Sequence, residues 1–376
     1  MRSRSWAELG AVAVAALALG ASAAGCGDGS AEPSADARLT VYVSVPERGP
    51  SAADGLDVAD GARLALRAAD GRAADVPVQI EVLDDSGGGP GGWSAAATGA
   101  NARRASQDST AIAYVGDFDS GATRVSLPVT NGAGMLQVSP ASGAGDLVAP
   151  FPGSTELPET QPSGSRTFGR VIPSDVRQAQ AAAAWVDRLG VPRIATLDDR
   201  STFGRQVSVA FRDALTGASV VPGEAGWIFY AGEADSEPPA ARDAEHLLVT
   251  DAELGAAAER QPAGTLATSA ALDPSQLPAA AAGFKRDFEA EYGGPPGRYA
   301  AYGYEAMAVV LDSIERADDP TDRGSVIDAF FDTAGRDAVI GSYTIDELGE
   351  TSLDRMTGYR LTGGKPRPVA RLRGGP

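Results

Sequence analysis

The sequence predicts an α/β fold of two lobes, each a doubly wound parallel sheet, and three observations carry that expectation. Apolar, β-rich runs alternate with segments of helical apolar spacing from Leu39 onward. The alternation stops at a Pro- and Gly-dense stretch, Phe151 to Ser165, and then restarts. The 376 residues leave room for two such cores and little more, at roughly 100–200 residues per domain.

The first half reads in order. Leu39 to Val45 (LTVYVSV) is a strand bounded by Pro46, and Asp57 to Ala69 is a helix with Val58, Ala62, Leu64 and Ala65 on one face. Val76 to Leu83 is a second strand, Ser94 to Gln107 a helix and Ala111 to Val115 a third strand. Val125 to Ala133 and Met135 to Val138 repeat the helix–strand unit. Such repetition predicts a parallel sheet covered on both faces.

Beyond the connection, Gln178 to Leu189 and Arg205 to Leu215 are helices, and Arg193 to Leu197, Trp227 to Tyr230 and His246 to Thr250 are strands. Ala252 to Arg260 reads as a short helix. Ala279 to Tyr292 and Tyr299 to Ala317 have the clearest helical pattern, the second with Tyr304, Met307, Ala308, Leu311 and Ile314 as a core stripe. Gly341 to Ile345, Arg360 to Leu361 and Val369 to Leu372 alternate among turn residues and read as late strands.

Composition excludes several functions. Lys+Arg 32 against Asp+Glu 50 gives a net charge of −18, which repels a phosphate backbone, so no nucleic-acid partner is expected. A single cysteine, Cys26, and a single histidine, His246, exclude a disulfide framework and a Cys- or His-rich metal centre. The same scarcity removes most nucleophile–base pairs, which argues against an enzyme. The loop Gly87 to Gly92 satisfies GxGxxG only because it is nearly all glycine, so no cofactor is expected. The pairs Asp84-Asp85, Asp198-Asp199 and Asp318-Asp319 lack the spacing of a calcium loop, and no metal is expected either.

The N-terminus carries an address. Arg2 and Arg4 precede an uncharged, Ala-rich run from Leu9 to Gly25, the pattern of a secretory signal. Ala23-Ala24-Gly25-Cys26 resembles a lipobox, with Cys26 as the lipidated residue; an ordinary signal-peptidase site in the same small-residue run is the alternative. The expected organisation is a signal over 1–25 and a small, polar tether over 26–38, with the folded body held by lipid to the outer face of the cytoplasmic membrane.

Ala113-Tyr-Val-Gly-Asp-Phe-Asp-Ser-Gly-Ala122, Met135 to Ser142, Phe168-Gly-Arg-Val-Ile-Pro-Ser-Asp175, Thr196 to Gly204, Phe284 to Ile314 and Gly341 to Gly349 follow one another in an order that resembles the leucine-binding (branched-chain amino acid) family. These are type I periplasmic binding proteins, the solute receptors of ABC importers. The resemblance spans Leu39 to about Val369. It implies two lobes joined by a three-stranded hinge, a solute buried when they close, and an ABC permease as partner to a monomeric receptor. Its segments place the first lobe at 39–165, the second at 166–265, a return to the first at 266–338, and the closing strands of the second lobe with the hinge at 339–376.

By the same resemblance, Ser120 falls on the serine that holds a ligand carboxylate, Ala141 and Ser142 on a loop whose main chain contributes, and Gly143 where amino-acid binders often carry threonine. Asp251 falls on the acid that holds the ammonium, and Asp119 and Phe203 join the site. Between Tyr230 and His246 only AGEADSEPPAARDAE stands where the family has a strand and helix, which implies a shortened second lobe. Asp54 and Asp119 make the pocket more acidic than a leucine site, as solvated rim or as the lining for a polar or cationic solute. A sensor without transport is the alternative function on this fold, and a secreted hydrolase a more distant one.

Overall fold

The computed structural model describes residues 38–87, 92–151, 153–222, 226–232 and 244–375. The signal segment, Cys26 and nearly all of the tether lie outside the described residues, as do most of the glycine loop and positions 233–243 of the shortened connection.

The first lobe is built on a sheet in the order β2-β3-β1-β4-β5-β6. β1 (Leu39–Val45) is buried at every position, the mark of a central strand covered on both faces. It is followed by α1 (Ala52–Ala68), β2 (Arg72–Ala73), β3 (Val76–Asp84), α2 (Ala95–Gln107), β4 (Ala111–Val115), α3 (Ser120–Gly132), β5 (Leu136–Ser139) and β6 (Phe168–Arg170). All neighbours pair in parallel except the β2–β3 hairpin. Side-chain oxygens of Ser94 and Asp119 take an N–H of the first turn and start α2 and α3.

The second lobe follows with α4 (Asp175–Arg188), β7 (Arg193–Asp198), α5 (Thr202–Ala214), β8 (Ser219–Val220), β9 (Trp227–Ala231), β10 (His246–Val249) and β11 (Leu266–Ser269). The chain then returns α6 (Ala282–Tyr292), α7 (Ala300–Arg316) and α8 (Arg323–Phe331) to the first lobe's core, where Phe284, Met307 and Phe330 pack with Val41 and Val43. β12 (Arg355–Thr362) and β13 (Lys365–Arg373) complete a second sheet in the order β13-β12-β11-β10-β9-β7-β8. Its last two pairings are antiparallel. β13 forms one edge and carries Pro366 and Pro368.

The two-lobed α/β expectation holds, with three crossings between the lobes after β6, after β11 and before β12. β6 belongs to the first sheet and β11 to the second, so the crossings fall a few residues beyond positions 165 and 265. Neither strand has a hydrophobic run: Phe168-Gly-Arg170 and Leu266-Ala-Thr-Ser269 carry one large apolar residue each. α1 starts before Asp57 because its first turn holds small and acidic residues with no apolar period. The helix expected over Ala252 to Arg260 is instead two 3₁₀ turns, Asp251–Glu253 and Ala256–Arg260. Gly341 to Ile345 joins neither sheet; Tyr343 and Ile345 make only isolated bridges, to Arg336 and Thr351.

The crossings are tied to the first lobe by arginines. Arg170 is fully buried and donates to Glu350 through Nε (3.0 Å) and Nη2, and through Nη1 to the carbonyls of Ser142 (3.0 Å) and Ala144 (2.7 Å). Arg177 Nη1 holds the carbonyls of Thr351 (2.8 Å) and Leu353 (3.0 Å).

Candidate functional site

A cavity of about 370 Å³ lies between the lobes, walled by segments that follow the carboxyl ends of β1, β4 and β5 in one sheet and β7, β10 and β11 in the other. This is where open parallel sheets present their ligand-binding loops. Six expected residues line it: Asp119, Ser120, Ala141, Gly143, Phe203 and Asp251.

Ser142 does not. Its buried Oγ donates to the Asp117 carbonyl (3.0 Å) and bonds Thr123 Oγ1 (2.7 Å), while its N–H goes to Ser139 Oγ (2.9 Å). The Ala141 N–H also goes to Ser139 Oγ (3.2 Å). The loop's main-chain donors at 141 and 142 therefore serve the loop itself. Ser142 supports the wall that its neighbours form.

Ser120 opens α3, and its Oγ accepts from the Ala144 N–H at 3.2 Å, which leaves the hydroxyl proton for a ligand acceptor. Asp119 caps the same helix, its Oδ1 accepting from the Gly121 N–H at 2.6 Å. Burial raises the Asp119 carboxyl above its ordinary range, against the lowering effect of the Gly121 and Ala122 amides.

At Gly143 the missing side chain has a substitute. A Cβ built there would overlap Asp175 Oδ1, and the Asp175 N–H donates to the Gly143 carbonyl at 2.9 Å. Asp175 begins α4, behind a cap made by Ser174. Its carboxylate thus occupies the space a threonine would fill. Burial, offset by Arg170 and reinforced by Asp251, pushes the Asp175 carboxyl up to about 7.

Asp251 lies just past β10 and accepts from Gln178 Nε2 at 3.2 Å. Burial raises its carboxyl, and Gln178 and Arg298 only partly oppose this. Gln178 is fixed in turn by the Thr268 carbonyl (3.1 Å) and Oγ1 (3.2 Å).

Sequence reasoning missed Arg298 and the role of Asp54. Arg298 Nη2 meets Asp54 Oδ2 at 2.9 Å, both line the cavity, and the guanidinium lies 5.4 Å from the centroid of the Tyr299 ring. Two glycines bring them together: a Cβ on Gly61 would overlap the Ala300 carbonyl, and one on Gly303 would overlap that of Val58. Their absence of side chains seats α1 directly on α7, so Asp54 in the first turn of α1 and Arg298 two residues ahead of α7 share one wall. No local motif marks such a pair. Phe118 packs edge-on to Tyr299 at 4.8 Å, and Trp93 extends this aromatic wall.

His246 is half exposed, stacked on Trp227 at 4.6 Å, and begins β10, whereas Asp251 follows that strand's other end. Among the described residues no group of three His, Cys, Asp or Glu side chains is placed to hold a metal ion.

Residues 39–244 match the family model described as periplasmic binding protein. The chain is 25% identical to the Leu/Ile/Val-binding protein BraC3 of Rhizobium johnstonii, an alignment covering 89% of this chain and 94% of that one. Among solved structures, a leucine-binding protein LivK of Thermotoga maritima superposes with a TM-score of 0.71 at 20% identity, over 89% of this chain and 99% of the other. A solute-binding protein of an ABC transporter from Rhodopseudomonas palustris, in complex with 3,4-dihydroxybenzoic acid, superposes with a TM-score of 0.68 at 15% identity, over 90% and 98%.

Proposed function

The chain belongs to the periplasmic binding protein family, and from that premise we propose that it is an exported solute receptor that captures an amino acid or close relative by lobe closure and delivers it to an ABC permease. The observation that carries this reading is a hydroxyl donor and two carboxylates brought to opposite sides of one cavity. Ser120 offers a hydroxyl donor on the first lobe, and Asp175 and Asp251 offer carboxylates on the second. A zwitterion laid between them satisfies both sides with charge-assisted hydrogen bonds.

The same division supports closure as the working motion. Partners of the ligand stand on both lobes, so binding stabilises the closed arrangement over the open one by its differential contacts. The relatives fit the reading in kind: BraC3 is a Leu/Ile/Val-binding protein and LivK a leucine-binding protein. Export and lipid anchoring rest on the Arg2–Gly25 signal pattern and Cys26. Nothing in this reading requires chemistry on the ligand.

The test is thermal unfolding of solute-free protein against amino acids, small amides, polyamines, sugars and aromatic carboxylates, because a ligand that binds only the folded form raises Tm by mass action. A concentration-dependent rise with amino acids supports the reading. A rise only with aromatic carboxylates, or with no solute at all, overturns it.

A further inference from the structure

We infer that the Arg298–Asp54 pair selects the ligand's side chain and that the side chain it selects ends in a carboxamide; this deepens the amino-acid reading above and rests on it. Arg298 is only 12% exposed and spends one arm, Nη2, on Asp54. Its other arm, Nη1, is buried with no hydrogen-bond partner. A charged N–H group without an acceptor away from water is costly, and native structures rarely leave one so. Arg298 lines the cavity, and Nη1 lies just beneath that wall, closed to water, so a solute that shifts the wall as the lobes close is the group that can supply the acceptor.

Charge decides which acceptor. Burial opposes the Arg298 charge, but Asp54 together with Tyr299, Tyr359 and Asp251 outweighs it, so the guanidinium stays protonated with Asp54 as its ion-pair partner. The cavity wall carries four carboxylates, Asp54, Asp119, Asp175 and Asp251, against Arg124 and Arg260 besides Arg298 itself. Asp251 acts on the same guanidinium, and Asp57, one turn along α1 from Asp54, is pushed up to about 7 by burial and by Asp54 itself. A ligand carboxylate here would add a further negative charge to a buried acidic wall. A carbonyl oxygen accepts from Nη1 with no such cost. The NH₂ group of the same amide then faces the Asp54 carboxylate, which only accepts, so one planar group meets a donor and an acceptor side by side. A branched aliphatic side chain would leave Nη1 unmet, which disfavours it by the same reasoning that lets hydrogen-bonding sites reject analogues lacking the polar group.

Calorimetric titration of protein freed of bound solute with L-glutamine, L-asparagine, L-leucine and L-glutamate tests this. The expected result is that at least one amide binds ten-fold or more tighter than both leucine and glutamate. Arg298→Ala should then reduce that preference to within about three-fold, and Arg298→Lys should restore part of it. Should Arg298→Ala fail to fold, Asp54→Asn provides the second variant and is expected to weaken the amide more than leucine. Leucine or glutamate binding tightest to the wild type, or an amide preference untouched in a folded Arg298→Ala, overturns the assignment of the pair and leaves the amino-acid reading standing. No heat with any of the four, from protein shown to be folded and solute-free, overturns both.

Discussion

Asp175 stands in the place of a side chain that Gly143 lacks: its Oδ1 occupies the space of a Cβ at that position, and its N–H donates to the Gly143 carbonyl at 2.9 Å. Restoring the threonine that amino-acid binders often carry therefore collides with the fixed carboxylate that opens α4. Gly143→Thr is expected to destabilise by ~1–3 kcal/mol, the range for overpacking a well-filled site, and to weaken ligand binding at least ten-fold. Adding Asp175→Ala to it should recover part of the stability, read from urea unfolding of the single and double variants. Additive losses would mean that the two residues do not share the space.

Asp175 also sets a pH dependence of binding. With its carboxyl raised to about 7, it is protonated below that value and offers a ligand ammonium no full charge. Affinity for an amino acid is expected to rise between pH 6 and pH 8, and Asp175→Asn should bind more weakly at pH 8 and lose most of that rise. Titration calorimetry across this range decides it, and a parallel pH profile in the variant would remove Asp175 from the site.

Ser120→Ala and Asp251→Asn each remove one proposed partner of a charged ligand group and are expected to weaken binding by ~1–3 kcal/mol. Ser120→Ala should leave Tm of the solute-free protein nearly unchanged, since the hydroxyl only accepts from Ala144, whereas Asp251 is also met by backbone donors at Ala270 and its own amide, so Tm of that variant is measured beside its affinity. Unchanged affinity in both variants would sink the placement of the ligand.

Asp85 contributes to a loss of stability as pH rises from acid to about 8. Both its oxygens are buried without a hydrogen-bond partner, and burial, followed by repulsion from Asp117 and Asp119, pushes its carboxyl to about 8. In the unfolded chain it titrates near ~3.9. The folded state therefore keeps a proton that the unfolded state gives up, so this contribution is full below about pH 4 and is lost as pH rises through about 8. Tm should fall between pH 5 and pH 9, and Asp85→Asn should flatten the fall, with a gain on the order of ~2 kcal/mol at pH 9. Identical slopes for wild type and variant would exclude Asp85 as the cause.

Arg170 and Glu350 hold the hinge. Replacing Glu350 with Ala leaves a fully buried guanidinium short of its counter-charge and is expected to cost ~3 kcal/mol in urea unfolding. A loss near zero would show that the two carbonyl bonds suffice.

The sequence made the strands with continuous apolar runs legible: Leu39–Val45 and Ala111–Val115 match their expected bounds, because strands buried on both faces cannot hide their hydrophobicity. β6 and β11 escaped because short strands at a crossing owe their existence to neighbours, not to their own residues. In the site, the order of the motifs carried Ser120, Gly143 and Asp251 to one cavity. Arg298 and Asp54 are distant in sequence and meet only through the close seating of α1 on α7, a packing event with no sequence period. Ser142 braces the cavity wall rather than lining it for a related reason: neighbouring loop residues differ in whether they face the cavity or support it, and the supporting partner, Ser139, is chosen by the fold.

The β13 edge bears on how copies of the protein meet. An unpaired strand at a sheet's margin is a template onto which another chain can add. Pro366 and Pro368 remove two of the N–H groups that such an addition would use, and Lys365, Arg367 and Arg371 surround them with like charge. Prolines are tolerated in a sheet at such an edge, where the missing N–H faces away from the ladder. Copies of the chain at high local concentration would otherwise be at risk of zipping margin to margin; here that side of the sheet is closed to a neighbour's strand.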